Sequence, residues 1–166
     1  MSIEITRASK ADKIIIRNLT ELYFHDFSEF EKKEVNEHGL FDYDDLDLFW
    51  LEQNRHAFLA RYQGKIAGFA LIKQGFYHER NEQYDENLVD IVDFFVMRRY
   101  RRNGVGRVMA RYCFEAVRGN WQVRTDEPNV AAFAFWRSVI AQFTGDQYET
   151  FDFTDSPGVA YYFESK

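Results

Sequence analysis

The chain has 166 residues, a length typical of one domain, and we expect residues 1–166 to form a single domain. Hydrophobic residues make up 46% of it, enough for a sizeable core, and its one cysteine, Cys113, excludes an internal disulfide and fits a reducing, cytoplasmic location. The sequence contains neither a signal-peptide pattern nor an apolar run long enough for a membrane helix. A net charge of −6 disfavours nucleic-acid binding.

The charges are distributed unevenly. Residues 26–52 contain ten acids and two bases, Lys32 and Lys33, whereas residues 98–111 contain six arginines and no acid. A tight arginine cluster in an acidic chain suggests a specific anionic ligand, and the alternative is a solvated basic helix face.

The first third of the chain predicts a strand, a helix and an irregular segment. Ile3–Arg7 alternates apolar and polar residues, as a half-buried strand does. Ser9 and Asp12 then offer caps to a helix whose apolar residues recur at helical spacing as far as Tyr23. Residues 24–52 are acidic and aromatic, and we expect either two short helices or a helix and a loop.

The middle of the chain predicts strands. Residues 57–62 and 66–72 form two apolar runs around the turn glycine Gly64, which predicts a β-hairpin. Residues 75–87 are polar and predict a loop, and residues 88–96 predict a further strand that carries two aspartates.

The last third predicts alternating helices and strands. A helix is expected over 104–117, a strand over 121–125, a helix over 129–140 and closing strands over 148–153 and 159–163. The order of elements indicates an α/β (α+β) fold. We expect a mixed, mostly antiparallel central sheet of six or seven strands, with one parallel pair and helices on both faces.

The turn before the first of these two helices has the features of a phosphate site. The amides of a helix start lack partners within the helix, and the helix dipole favours an anion there. Gly104 and Gly106 would let a ligand approach the backbone, and guanidinium groups suit phosphate oxygens. A dinucleotide fingerprint is excluded by Met109, and a P-loop by Arg107 and Val108.

Two segments resemble motifs of the GCN5-related N-acetyltransferase (GNAT) family. Arg101-Arg102-Asn103-Gly104-Val105-Gly106 resembles the family motif Gln/Arg-x-x-Gly-x-Gly/Ala, which follows a central strand. A second family motif, Asn-x-x-Ala-x-x-Phe-Tyr, is similar to the segment that runs from Asn129 through Ala132 and Phe135 to Trp136. The resemblance covers residues 3–163, although the first third matches only in the order of its elements.

The resemblance implies acetyl-CoA as co-substrate, no metal, and a sheet with a splayed gap between the strands at Val96 and Val123. It implies that the strand end pairs with the pantetheine arm, that turn amides cradle the pyrophosphate, and that Asn129 lies near the cofactor. The cofactor-binding residues so expected are Phe94, Phe95, Val96, Arg101, Arg102, Asn103, Gly104, Val105, Gly106, Arg107 and Asn129.

Acetyl transfer to an amine needs a base, stabilisation of the thioester oxygen, and a fate for the leaving thiolate. Asp90 and Asp93 are the candidate bases, and Asp93 is slightly favoured because it lies nearer the cofactor's reactive end. Strand alternation should point the two in opposite directions unless a bulge intervenes, and either carboxylate could instead be structural. A backbone amide near Phe95 or Val96 is the candidate for stabilising the oxygen.

The usual thiolate acid of the family is a tyrosine, and Trp136 stands in its place. An indole N–H cannot usefully act as an acid, so either water or Tyr112, Tyr161 or Tyr162 must serve. Cys113 and the four scattered histidines are expected to have structural or surface roles.

The expected function is N-acetylation of a primary amine, and the expected acceptor is a small molecule or a peptide. The acidic residues of 26–52 and 79–86 would attract a cationic amine, unless they form an ordinary solvated surface. The alternative is an acyl-CoA-binding or sensor module without turnover. No membrane or nucleic-acid partner is expected, and a homodimer is possible.

Overall fold

The structure is a computed structural model that describes residues 2–28, 30–126, 130–153 and 157–166. These described residues form seven strands, three α-helices and three short 3-10 turns. The strands are β1 (Ile3–Arg7), β2 (Arg55–Tyr62), β3 (Lys65–Tyr77), β4 (Tyr84–Val96), β5 (Gly119–Asp126), β6 (Glu149–Asp152) and β7 (Gly158–Ser165). The α-helices are α1 (Lys13–Phe27), α2 (Val105–Ala116) and α3 (Val130–Thr144). The 3-10 turns are Lys10–Asp12, Leu46–Trp50 and Arg98–Tyr100.

The seven strands form one mixed sheet in the order β1-β2-β3-β4-β5-β7-β6. β1 pairs antiparallel with β2, and β7 pairs antiparallel with both β5 and β6. β4 and β5 are parallel, as the strand–helix–strand pattern predicts. The fold prediction of a mixed sheet of six or seven strands with a parallel pair is therefore confirmed.

The parallel pairing is short. Leu88, Val89 and Asp90 are in register with Asn120, Trp121 and Gln122, and the pairing ends there. Both strands are longer than their paired part, since β4 continues to Val96 and β5 to Asp126.

The chain divides into two compact units, and each has its own buried residues. The first unit comprises Met1–Leu71 and Asp93–Gly106, and its core includes Ile16, Leu59 and Phe69, all fully buried. The second unit comprises Ile72–Val92 and Arg107–Lys166, and Trp121 and Phe114 pack edge to face within it, with ring centroids 4.9 Å apart.

The first helix follows its sequence signals. Ser9 caps the 3-10 turn that leads into α1, and both its amide and its hydroxyl bond to the carboxylate of Asp12. The helix buries Ile16, Leu19 and Tyr23 on one face. Of the two alternatives for residues 24–52, helix and loop is the nearer, because α1 ends at Phe27 and the only further helical element in the described residues is the 3-10 turn Leu46–Trp50.

The predicted loop over residues 75–87 is wrong at both ends. β3 runs on to Tyr77 and β4 begins at Tyr84, so the connection is only residues 78–83. The polar side chains there indicate exposure, but exposed strand residues bond through their backbone as well as buried ones do.

Candidate functional site

The predicted phosphate turn follows the short 3-10 element Arg98–Tyr100 and leads into α2, which begins at Val105. Arg101, Arg102, Asn103 and Gly104 are exposed, whereas Val105, the first residue of the helix, is buried. In the described part of the chain, the amides of residues 102–104 donate to no carbonyl or side chain. These amides are therefore open to a ligand.

Two residues of this turn have left-handed backbones. Arg102 has φ of 63° and Gly104 has φ of 82°. A left-handed conformation costs a non-glycine residue about 1–2 kcal/mol, so glycine suits position 104 and Arg102 must be held by its surroundings. A Cβ at Gly104 would meet only Ile3 Cδ1, at 3.8 Å, so backbone conformation rather than space selects glycine.

The side chains of the arginine cluster are mostly engaged by the protein itself. Arg98 and Arg101 pair with Asp26, and Arg111 pairs with Glu115. The guanidinium of Arg107 donates to Ser138 and Gln142, both on α3.

Two arginines of the cluster differ from these. Arg99 and Arg102 are exposed and have no ion-pair partner among the described residues. The free positive charge of the cluster is therefore concentrated beside the turn.

The end of β4 carries three more of the predicted cofactor residues, Phe94, Phe95 and Val96. Phe95 is buried and contacts the rings of Phe69 and Tyr23. The carbonyl of Val96 accepts a hydrogen bond from Arg101 Nε at 2.9 Å, and the next amide, that of Met97, donates to Ala67 O on β3. Phe94 is half-buried, and Asn129 lies outside the described residues.

Asp93 is buried among aromatic residues. The hydroxyl of Tyr43, a residue of the acidic segment, donates a hydrogen bond to the carboxylate of Asp93. Burial raises the pKa of Asp93, and hydrogen bonds from Tyr43 and Tyr23 offset this rise only in part. Burial and the neighbouring Asp93 charge raise the pKa of both tyrosines, so both remain protonated donors.

Asp90 lies in a different, charge-paired environment, and its hydrogen-bond partners among the described residues differ from those of Asp93. It is fully buried, and its Oδ2 accepts hydrogen bonds from Arg124 Nε at 2.6 Å and Gln122 Nε2 at 3.1 Å. Burial raises the pKa of Asp90 to about 6, against the lowering effect of Arg124. The pairing with Arg124 and Gln122 is the arrangement of a structural carboxylate.

The tyrosines proposed as substitutes for the missing acid differ in their surroundings. Tyr162 donates to Gln122 Oε1 at 2.5 Å, and Tyr112 is 36% exposed. The hydroxyl of Tyr161 is buried without a hydrogen-bond partner in the described residues. Trp136 is buried, and its ring packs on Phe135.

Other possible sites are not supported in the described part of the chain. No group of three or more metal-ligating side chains occurs there. Cys113 is fully buried, and burial raises its thiol pKa, which agrees with a packing role. None of the described helices has the length and apolar character needed to span a membrane.

Sequence reasoning missed two residues of this region. Tyr43 and Asp26 both lie in the acidic, aromatic segment, and the sequence assigns neither of them an individual role. No local signal marks either residue, because each acts through a partner 50 or more residues away in the sequence.

Comparison with known proteins identifies the family. The model of the acetyltransferase (GNAT) family matches residues 16–139, well over half of the chain. The chain therefore belongs to the GNAT acetyltransferase family, as its two motifs indicate. Comparison with curated protein sequences gave no significant match.

Three solved structures illustrate the similarity of this fold to known proteins, each at low sequence identity. The PaiA N-acetyltransferase of Thermoplasma acidophilum, in complex with coenzyme A, is 12% identical with a TM-score of 0.63, over 97% of this chain and 98% of that one. An aminoglycoside acetyltransferase from an uncultured soil metagenomic sample is 21% identical with a TM-score of 0.58, over 82% and 86%. The ribosomal-protein-S18-alanine N-acetyltransferase of Escherichia coli is 15% identical with a TM-score of 0.56, over 97% and 91%. At these identities the likeness shows the fold.

Proposed function

We propose that this GNAT family member is an acetyl-CoA-dependent N-acetyltransferase that acetylates a primary amine of a small molecule or peptide. The amine attacks the thioester directly, without a covalent enzyme intermediate. The observation that carries the proposal is the open turn before α2, whose exposed amides have no partner in the described residues.

The residues of the turn fit the diphosphate of coenzyme A. Amides at residues 102–104 and at the start of α2 would donate to phosphate oxygens, and the dipole of α2 favours the negative charge. Gly104 allows the left-handed backbone that keeps the turn open. The exposed guanidinium of Arg102 adds positive charge, and the amides of Val105, Gly106 and Arg107 complete the proposed cradle. Bound acetyl-CoA would supply the acetyl group as an activated thioester.

The backbone at the end of β4 is proposed to hold the pantetheine arm. Phe94, Phe95 and Val96 would pair with it as one strand pairs with another, and an amide near Phe95 or Val96 would stabilise the thioester oxygen. Packing of the Phe95 ring on Phe69 and Tyr23 supports this role, because it fixes the backbone on which such bonds depend.

Asp93 is the better candidate for the general base. A carboxylate with a raised pKa takes a proton from an ammonium group more readily than an ordinary one does. Tyr43 and Tyr23 orient the carboxylate without neutralising it, whereas Asp90 is committed to Arg124 at 2.6 Å. In this assignment Asp93 accepts the ammonium proton, and Asp90 maintains the structure of β4 and β5.

The leaving thiolate is proposed to take its proton from water. Burial raises the pKa of Tyr161, so its hydroxyl is a weaker acid than an ordinary tyrosine and much weaker than a thiol. Tyr162 is likewise raised by burial and is already bonded to Gln122. Trp136 offers no acidic proton.

The acceptor is proposed to be a cationic amine bound near the acidic segment. The segment that contains Tyr43, which reaches Asp93, also carries seven exposed acids: Glu31, Glu34, Glu37, Asp42, Asp44, Asp45 and Asp47. The loop over residues 78–83 and its flanks are less suited, because Glu79 pairs with Arg124 and Asp85 with His78. The aminoglycoside and ribosomal-protein enzymes that share the fold are consistent with either a small-molecule or a peptide acceptor.

A panel of amines assayed for CoA release tests the proposal. Wild-type protein should turn over at least one amine, Asp93→Asn should lose turnover but keep CoA affinity, and Asp90→Asn should keep turnover in the molecules that remain folded. CoA binding with no turnover of any amine would favour the sensor alternative, to which Trp136 in place of the usual tyrosine lends support. Failure of the wild type to bind CoA would refute both.

A further inference from the structure

Asp26 makes the most extensive side-chain link to the proposed cofactor turn. It lies in the last turn of α1, more than 70 residues before the arginines that it contacts. Its Oδ1 accepts from Arg98 Nε at 3.0 Å and lies 2.9 Å from Arg98 Nη2, and its Oδ2 accepts from Arg101 Nη2 at 2.5 Å. Each carboxylate oxygen therefore holds one guanidinium.

The stability of α1 does not explain an aspartate at this position. The C-terminal end of a helix carries a partial negative charge, which disfavours a carboxylate in the last turn. The side chain is also only 19% exposed, and this burial by itself would raise the pKa of Asp26. The hydrogen bonds of Arg98 and Arg101 outweigh this effect and bring the pKa below its ordinary value, so the carboxylate is ionised at neutral pH.

Arg101 transmits this link to the backbone of the turn. Its Nε donates to Val96 O at 2.9 Å, so one edge of the guanidinium joins the end of β4 to Asp26. Its own carbonyl accepts a hydrogen bond from Asn103 Nδ2 at 3.1 Å. Arg101 therefore connects the strand end, the turn and α1.

The turn needs such support because its own backbone bonds are few. The amides of residues 102–104 donate to nothing in the described chain, and Arg102 occupies a left-handed conformation that its side chain disfavours. A turn that keeps its amides open for a ligand cannot also use them for hydrogen bonds that stabilise its own conformation. Side-chain anchors outside the turn must supply the missing rigidity.

We propose that Asp26 is a positioning residue for cofactor binding: it holds Arg98 and Arg101 so that the turn keeps its amides open for the diphosphate. This inference rests on the proposed function. The opposite role, an internal anion that competes with the diphosphate for the arginines, is less consistent with the geometry. The edge of Arg101 that binds Asp26 also binds Val96 O, so both of its nitrogens already donate to protein groups.

Calorimetric titration with coenzyme A tests the proposal on four variants and the wild type: Asp26→Asn, Arg101→Gln, the double variant, and Glu115→Gln. Asp26→Asn should bind CoA about fivefold to tenfold more weakly, the loss expected for about one charge-assisted contact. Because Asp26 acts partly through Arg101, the loss of CoA affinity in the double variant should be smaller than the product of the two single losses. A general loss of structure would instead add to the effect of Arg101→Gln.

Glu115→Gln is the matched control. It also removes a carboxylate from an arginine of the cluster, since Glu115 pairs with Arg111 at 2.8 Å within α2, away from the turn. Its CoA affinity should stay within about twofold of the wild type. Thermal melting of each variant confirms that the molecules titrated are folded.

Four results would overturn the inference. Tighter CoA binding by Asp26→Asn would show that Asp26 competes with the diphosphate, and unchanged binding would show that it has no role in cofactor binding. If the loss of CoA affinity in the double variant equalled the product of the two single losses, Asp26 would not act through Arg101. An equal loss of CoA affinity in Glu115→Gln would show that the effect comes from the change in net charge rather than from Asp26 itself. If the wild type itself bound no CoA, the proposed function would fail and this inference with it, whereas wild-type binding with any of those four results would refute this inference alone.

Discussion

Replacement of Gly68 by alanine should damage both the stability of the sheet and the proposed cofactor strand. Gly68 lies on β3, and its neighbour Ala67 accepts the amide of Met97 at 2.9 Å. A Cβ at Gly68 would lie 2.1 Å from Phe95 O and 3.1 Å from both Phe95 C and Val96 Cα. These are backbone atoms, so no side-chain rotation relieves the clash.

The magnitude follows from the displacement that the clash demands. To reach an ordinary contact, the end of β4 must move away from β3 by about 1 Å, which strains the packing at a cost of about 1–3 kcal/mol. Loss of one backbone hydrogen bond adds about 1 kcal/mol. We therefore expect the free energy of unfolding to fall by about 2–4 kcal/mol, a large part of the stability of a domain of this size. Urea denaturation measures it.

Gly68→Ala should also weaken CoA binding in the molecules that remain folded, because the backbone of Phe95 and Val96 is displaced. The matched control is Gly64→Ala in the turn of the same hairpin, where a Cβ meets no atom within 4 Å but φ is +74°. The control should lose about 1 kcal/mol from backbone strain alone and keep its CoA affinity. If Gly68→Ala matched the wild type in both measurements, β3 and β4 would not approach each other as closely as the structure shows.

Four further predictions concern three buried polar groups. Folding raises the pKa of the Asp93 carboxyl, so this group stabilises the fold below its unfolded pKa, and the contribution is lost as the pH rises through its folded pKa. In urea denaturation at pH 7, Asp93→Asn should therefore be at least as stable as the wild type, although it should be inactive. A loss of stability together with the loss of activity would make Asp93 a structural residue. The general-base role of Asp93 also predicts that kcat/KM of the wild type rises with pH as this carboxyl ionises, through a pKa above the ordinary value of 3.8. A kcat/KM that does not change with pH in the acidic range would contradict the general-base role. Asp90→Asn should lower the free energy of unfolding by about 2–4 kcal/mol, because Arg124 loses its buried partner, and an unchanged value would contradict the structural role. Tyr161→Phe should leave stability unchanged or raise it by about 1 kcal/mol in thermal melts, because the hydroxyl has no partner in the described residues, and a clear loss would reveal a hydrogen bond.

The strongest sequence predictions came from elements whose pattern is local. The hairpin around Gly64 and the strand–turn–helix from residue 88 to 117 were recognised because apolar periodicity and turn glycines lie close together in the sequence. The ends of β3 and β4 were misassigned because Gly75 is typical of a strand end and Tyr84–Asn87 is mostly polar, as a loop is. Backbone pairing with a neighbouring strand, which composition does not report, keeps them in the sheet.

The candidate site shows the same division. The sequence places Asp90 and Asp93 on one strand and favours Asp93 as the base only slightly, by its position. They differ only through partners from elsewhere in the chain, Arg124 and Gln122 for Asp90 and Tyr43 for Asp93. Burial and partners, rather than residue type, favour one as a base and the other as a structural ion pair.

The sequence by itself determined the family, the parallel pair of strands and the glycine turn, because each is marked by local patterns: two short motifs, a strand–helix–strand order and two glycines at a helix start. Only the tertiary structure decided which charges remain available. It paired Arg98 and Arg101 with Asp26 and joined Tyr43 to Asp93 across 50 or more residues. The physical reason is that the strength and protonation of a charged group depend on the atoms packed around it, and these are brought together only by folding.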